Sequence, residues 1–132
     1  VGIAYASEEI IKFYNKVKPP YNISQLNQDT ILNTLSNKKI NQVSENIKII
    51  LKEKKNLIES LKKINLVKKI FPSDSNFILI EVENVDSVYQ ELVNKNVIIR
   101  NRNSVIKNCL RITIGSPEEN EKLIQALQNI NN

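Results

Sequence analysis

Apolar residues recur at helical spacing from Ile40 to Ile64, and this long run constrains the fold more than any other feature of the chain. Its members are Val43, Ile47, Ile50, Leu51, Leu57, Ile58, Leu61 and Ile64. At 1.5 Å per residue the predicted helix is roughly 35–40 Å long, more than a small domain needs. Such a helix either joins two domains or forms a coiled-coil arm, and the pattern does not keep strict heptads. We therefore predict three parts: a first segment 1–38, a connecting helix 39–65 and a domain 66–132.

The first segment is predicted to be mainly helical. Val1–Ser7 has the composition of a strand, and Ser7 is placed to cap a helix over Glu8–Val17. Pro19-Pro20 ends that helix, and a second one is predicted over Ser24–Ser36. The chain contains no methionine. We therefore expect the sequence to be a piece of a longer protein.

After Asn65 the spacing of apolar residues changes from helical to strand-like. The continuous apolar run in Asn76–Val82 predicts a strand buried on both faces. Asp86 and Ser116 are predicted helix caps, and Ser116 begins a Ser-Pro-Glu-Glu capping box. The other predicted elements are strands 66–71, 97–100 and 110–114 and a helix over 87–94. The expected fold class is α/β, with an α+β small domain: an antiparallel or mixed sheet that carries its helices on one face.

Composition excludes several kinds of site. The chain has no histidine, one cysteine and two glycines, Gly2 and Gly115, so histidine-dependent triads, zinc clusters and glycine-rich phosphate loops are excluded. We accordingly expect no catalytic residue, no cofactor ligand and no metal ligand within this chain. No apolar run approaches the roughly 18 residues of a membrane span. The single cysteine fits a cytoplasmic protein.

The net charge of +5 raises the question of nucleic acid. The lysines are scattered along helical patterns and mixed with Glu and Asn, without a basic stripe between aromatic residues. A solvated lysine-rich surface accounts for the charge, and we expect neither a nucleic-acid nor a membrane partner.

Arginine is used in one place only. Lysine supplies the positive charge elsewhere, whereas Arg100, Arg102 and Arg111 all lie in one strand–loop–strand stretch. A guanidinium matches carboxylate or phosphate with two parallel hydrogen bonds, and a charge within an apolar strand needs a partner. Arg111 is therefore a candidate anion ligand. The pattern alone leaves open that Arg111 lies on an edge strand and points to solvent, and a solvated loop position is favoured for Arg102.

Three other residues have ordinary explanations. Cys109 fits a small strand residue better than a nucleophile, because no activating base is near in sequence. Tyr21 is predicted to be a packed loop aromatic rather than a ligand contact. Asn76, at a strand start, is of the type that bonds its own backbone in turns.

Several segments together resemble the histidinol-phosphate aminotransferases, and the resemblance covers nearly the whole chain. The matching segments, in order, are Val1-Gly2-Ile3-Ala4-Tyr5-Ala6-Ser7, Lys16-Val17-Lys18-Pro19-Pro20-Tyr21-Asn22-Ile23-Ser24, Pro72-Ser73 with Asn76-Phe77-Ile78-Leu79, Val97-Ile98-Ile99-Arg100, and Leu110-Arg111-Ile112-Thr113-Ile114-Gly115 followed by Glu118-Glu119-Asn120. Each segment alone is weak evidence, but their order and spacing are fairly specific.

The resemblance implies a fold type I enzyme that uses pyridoxal phosphate and moves an amino group between glutamate and imidazole-acetol phosphate in histidine biosynthesis. It implies that Arg111 binds the substrate α-carboxylate and that Arg100 lies near the substrate phosphate. The lysine that carries the cofactor precedes the segment like Val1–Ser7 in this family. We therefore expect segment 1–38 to be the end of the large cofactor-binding domain, the chain alone to bind no cofactor and to be inactive, and the whole enzyme to be a homodimer.

Two other functions stay open at this stage. Other fold type I enzymes, including other aminotransferases and threonine-phosphate decarboxylase, share this organisation, and the arginine pair does not separate them. A function of a different class is a stand-alone α+β module that binds a small anion or a protein. The genomic reading frame distinguishes this stand-alone module from a piece of a longer fold type I enzyme.

Overall fold

The computed structural model of the protein describes residues 2–130. Its elements, in chain order, are α1 (Glu8–Val17), α2 (Gln25–Thr34), α3 (Asn37–Leu61), β1 (Val67–Ile70), β2 (Phe77–Val82), α4 (Val85–Asn94), β3 (Arg100–Asn101), β4 (Cys109–Thr113) and α5 (Pro117–Gln128). The chain divides into two compact units, Val1–Ser44 and Glu45–Asn132. The fold class predicted from the sequence is confirmed.

In the first unit, helices form where the sequence predicts them. Ser24 caps α2 by accepting a hydrogen bond from the Asn27 N–H, whereas Ser7 occupies the N-cap of α1 without such a bond. The predicted strand Val1–Ser7 is wrong over residues 2–7, which have no regular structure, and Val1 lies outside the described residues. A strand needs a neighbour to pair with, and residues 2–44 contain no other strand. Tyr21 is 97% exposed, so its predicted packing is also wrong within this unit.

The second unit contains an antiparallel sheet with the strand order β1-β2-β4-β3. β2 alternates between half-buried and buried positions, with Ile78, Ile80 and Val82 on the buried side. The prediction that this strand is buried on both faces is therefore wrong. Within the second unit the helices cover only one face of the sheet, so the β2 side chains on the other face, those of Phe77, Leu79 and Glu81, are half-buried.

The core lies between that covered face and helices α3, α4 and α5. Leu57 and Leu61 enter it from α3, Val88 and Leu92 from α4, and Leu127 from α5. Burying one such side chain stabilises the fold by about 1.5–3 kcal/mol. The core thus holds the sheet rigidly from one side and leaves the other side for a site.

Two boundaries differ from the prediction in ways that bear on the site. Only Arg100 and Asn101 form β3, so the predicted strand 97–100 is wrong over 97–99. Asn84, not Asp86, is the N-cap of α4, and Asp86 lies in the first turn. The predicted capping box at Ser116 is confirmed, with the Glu119 side chain bonded back to the Ser116 N–H.

Candidate functional site: an arginine pair on the open face of the sheet

Arg111 lies in the interior of the sheet, on the face that the helices leave open. Its strand β4 pairs with β2 on one side and β3 on the other, so Arg111 is opposite both Leu79 and Arg100. The alternative that Arg111 belongs to an edge strand and points freely to solvent is therefore wrong. Its neighbours Leu110 and Ile112 are buried in the core. Alternation along β4 thus places the guanidinium on the open face.

The Arg111 guanidinium has one aromatic neighbour and a buried donor that no described residue uses. Its Cζ lies 5.0 Å from the centre of the Phe77 ring, within the range of a cation–π contact. Its Nε is buried and has no hydrogen-bond partner among the described residues. A buried donor without a partner costs about 1–3 kcal/mol, and more in a charged group. This unsatisfied atom is the strongest sign within residues 2–130 that the side chain is built to receive an anion.

Arg100 brings a second positive charge to the same face. It is exposed, and its Cα is the cross-strand partner of the Arg111 Cα. Like charges at directly opposed positions destabilise a sheet. For two unit charges about 6 Å apart in water the repulsion is about 0.7 kcal/mol, and it grows as water is excluded. An anion between the two guanidiniums would reverse the sign of this interaction.

The other residues singled out in the sequence have mainly structural roles. The Arg102 N–H donates to the Cys109 carbonyl, and the Arg102 carbonyl accepts from Val105 and Ile106, so its backbone forms the turn between β3 and β4. Asn76 does not bond its own backbone as predicted. Its Oδ1 accepts from the Ser75 hydroxyl, and its carbonyl accepts from the Ile114 N–H.

Cys109 is only 1% exposed. Burial raises the pKa of its thiol, and the Glu81 carboxylate raises it further. Both effects favour the unreactive protonated form. The geometry supports the structural explanation of this residue.

Sequence reasoning missed three hydrogen-bond networks around the arginine strand. Glu53 of α3 is buried and accepts hydrogen bonds from the side-chain amides of Asn56 and Asn120, at 3.0 and 3.1 Å. The Asn120 side chain also bonds both the N–H and the carbonyl of Gly115, which follows β4. The only signal in the sequence was a Glu within an otherwise apolar helix face. This network ties the end of the arginine strand to α3.

A second network holds the loop before Phe77. The Lys54 ammonium donates to the carbonyls of Ser73 and Ser75, and the Ser73 hydroxyl donates to the Phe77 carbonyl at 2.6 Å. Phe77 in turn lies under Arg111. The position of the cation–π partner is therefore fixed by α3 as well.

A third network, also missed, joins α4 to the loop between the two arginines. The Asp86 carboxylate accepts from the side-chain amides of Asn101 and Asn103, at 2.8 and 2.9 Å.

Within residues 2–130 no cluster of three potential ligands could hold a metal ion, and no helix has the length and apolarity of a membrane span.

Comparisons with known proteins identify the family of the chain. The family model described as aminotransferase class I and II matches residues 1–127. The histidinol-phosphate aminotransferase of Flavobacterium psychrophilum is 48% identical over 130 residues, which cover 97% of this chain and 37% of that protein. The chain thus spans little more than a third of the length of the curated relatives it matches.

Two solved structures are also similar to this chain. The histidinol-phosphate aminotransferase from Clostridium acetobutylicum superposes with a TM-score of 0.79 at 28% identity, over 93% of this chain and 38% of that one. L-threonine-O-3-phosphate decarboxylase from Porphyromonas gingivalis superposes with a TM-score of 0.63 at 18% identity, over 95% and 39%. The second likeness concerns the fold alone.

Proposed function

The chain belongs to the class I and II aminotransferases, and we propose that it supplies the substrate-anion site of a histidinol-phosphate aminotransferase. The whole enzyme would convert L-histidinol phosphate and 2-oxoglutarate into imidazole-acetol phosphate and glutamate, a step of histidine biosynthesis. The observation that carries the proposal is the Arg111 guanidinium, half-buried on the open sheet face with an unpartnered Nε and with Arg100 opposite.

The substrates of this reaction carry the anions that such a pair accepts. Glutamate and 2-oxoglutarate present carboxylates, whereas histidinol phosphate and its ketone present a phosphate. In the proposal Arg111 binds the α-carboxylate and Arg100 lies near the phosphate. Both contacts are charge-assisted, and a guanidinium fork orients the anion as well as attracting it. What these residues do is bind and orient the substrate, so that its reacting carbon is held at a fixed place.

Pyridoxal phosphate is the cofactor of the proposed enzyme, and it supplies the electron sink for the chemistry at the substrate carbon. Arg100 and Arg111 are assigned to the substrate anion, and no residue of this chain is assigned to the cofactor. We accordingly propose that segment 1–38 is the end of the large cofactor-binding domain, that 39–65 is the connecting helix and that 66–132 is the small domain. A homodimeric, cytoplasmic whole enzyme belongs to the same proposal, as does the expectation that the chain alone binds no cofactor.

The nearest alternative is another enzyme of the same fold, such as a threonine-phosphate decarboxylase. This chain is similar in fold to one solved structure of that enzyme. The test is substrate profiling of the full-length enzyme loaded with pyridoxal phosphate. We expect turnover of histidinol phosphate with 2-oxoglutarate, detected as glutamate formation, and no carbon dioxide from threonine phosphate. Release of carbon dioxide without glutamate formation would favour the decarboxylase, and turnover of neither would overturn the proposal.

A stand-alone binding module is the alternative from another class. It predicts a reading frame that starts next to Val1, with no upstream coding sequence for a lysine-bearing segment. The match of family and relatives along nearly the whole chain supports the aminotransferase instead.

A further inference from the structure

The loop that joins the two arginines is held by one carboxylate. Asp86 lies in the first turn of α4, and each of its oxygens accepts one hydrogen bond, from Asn101 Nδ2 at 2.8 Å and from Asn103 Nδ2 at 2.9 Å. Asn101 follows Arg100 directly, and Arg102 lies between the two asparagines. The carboxylate therefore binds the residues on both sides of Arg102.

Both asparagine side chains are also fixed at their other end. Asn101 Oδ1 accepts from the Asn103 N–H at 2.8 Å, and Asn103 Oδ1 accepts from the Asn108 N–H at 2.9 Å. Each amide thus donates to Asp86 and accepts from the backbone, so turning it over would set oxygen against carboxylate. The network spans the whole connection from Asn101 to Asn108, and we call it the Asp86 clamp.

The clamp matters because the strand pairing between β3 and β4 is short. β3 and β4 share only two register pairs, Arg100 with Arg111 and Asn101 with Leu110. One of these pairs sets two positive charges against each other, which favours separation of the strands. Val97 and Ile99 pack against the core before β3, and the Arg102 N–H bonds the Cys109 carbonyl after it, so the clamp adds to these contacts in holding Arg100 opposite Arg111.

We infer that Asp86 is a positioning residue: its clamp on Asn101 and Asn103 keeps Arg100 opposite Arg111 before the substrate phosphate arrives. This inference rests on the proposed function, since it assigns Arg100 to the phosphate. Asp86 itself touches no substrate. A carboxylate suits this geometry, because each of its two oxygens accepts from a different asparagine amide.

The sharpest variant is Asp86→Asn, which keeps the shape and turns one acceptor into a donor that faces a donor. Glu91→Gln is the matched control, because Glu91 lies exposed on the same helix and loses the same charge. Asn103→Ala is a second variant, which removes the bond from Asn103 to Asp86 and the bond that Asn103 accepts from the Asn108 N–H, and leaves Asp86 in place. All three are made in the full-length enzyme, and thermal unfolding checks that each is folded.

Two measurements are needed. The first is hydrogen exchange of the backbone amides in segment 101–108, measured without substrate. In Asp86→Asn and Asn103→Ala these amides are expected to exchange about tenfold faster than in wild type, because about one charge-assisted hydrogen bond is lost. The second is steady-state kinetics, where KM for histidinol phosphate is expected to rise about tenfold while kcat and the KM for glutamate change less than about threefold. Glu91→Gln is expected to match wild type in both.

Unchanged exchange in Asp86→Asn overturns the clamp. Faster exchange with an unchanged KM for histidinol phosphate overturns the positioning role, because the network would then be only structural. A wild-type enzyme that does not turn over histidinol phosphate would contradict the proposed function separately. In that case the affinity for inorganic phosphate, measured by calorimetry, decides: a loss in Asp86→Asn but not in Glu91→Gln supports the inference, and equal affinities overturn it.

Discussion

Arg100 and Arg111 are direct cross-strand partners, so two guanidiniums share one face of a sheet whose other face is packed against helices. The pairing is unfavourable without a ligand and favourable with an anion between the charges. If Arg111 binds the substrate α-carboxylate and Arg100 lies near the phosphate, as proposed, loss of Arg111 should matter most for glutamate and loss of Arg100 most for histidinol phosphate.

In the full-length enzyme, Arg111→Ala is expected to lower kcat/KM for glutamate by about thirtyfold to a thousandfold, since a lost bidentate contact costs about 2–4 kcal/mol. Arg100→Ala is expected to affect histidinol phosphate more than glutamate. Separate half-reactions, followed by rapid mixing, distinguish the two effects. Lys122→Ala, an exposed change on α5, is the charge control. Unchanged kcat/KM for both substrates in Arg111→Ala would refute its role.

Phe77 is expected to act through Arg111. Phe77→Leu keeps an apolar side chain but removes the ring 5.0 Å from the guanidinium. A cation–π contact is worth about 0.5–2 kcal/mol, so the KM for glutamate should rise about twofold to thirtyfold. Phe77→Tyr retains the ring and should stay close to wild type. If both variants behave alike, the ring does not position the arginine.

The Glu53–Asn120 network is expected to contribute to stability. Glu53→Gln places an amide donor against the Asn56 or Asn120 amide, at a cost of about 1–3 kcal/mol. Thermal or urea unfolding measures this loss. Glu45→Gln, which breaks an exposed ion pair with Lys48 on the same helix, should cost no more than about 1 kcal/mol. Equal effects of the two changes would show that the buried network adds nothing.

The raised pKa of Cys109 predicts a pH dependence above its ordinary value of 9.0. The folded state favours the protonated thiol, so this contribution to stability is complete below pH 9 and is lost as the pH rises toward the folded-state pKa. Unfolding free energies measured at several pH values should therefore fall more steeply for wild type than for Cys109→Ala. Parallel curves would contradict the shift. Thiol reagents at pH 8 should modify the residue only after unfolding.

The sequence predicted those elements that local chemistry determines. Ser116 and Glu119 form a capping box because the residues that bond each other are three apart. Asp86 was predicted as a cap for the same reason, and wrongly. Its residue type fits either role, and its real partners lie 15 and 17 positions away, at a separation fixed only by folding.

The features of the site likewise divide into those that the sequence alone indicates and those that depend on folding. Arg111 stood out in the sequence because a charge in an apolar strand needs an explanation, but its strand order and its contact with Phe77 depend on long-range pairing. The burial of β2 was overestimated because the sequence cannot tell which side of a sheet its helices cover. The one local signal at Glu53, a carboxylate among apolar positions of α3, did not reveal its partner Asn120, which lies 67 positions away.

The interior position of β4 has an entropic consequence. Arg111 has its backbone paired on both sides and its guanidinium resting on Phe77, so much of its conformational freedom is already lost when the chain folds. Ordering a long side chain during binding typically costs about 0.5–1.5 kcal/mol. For Arg111 that cost falls on folding rather than on each encounter with substrate, so more of the ion-pair energy remains as affinity.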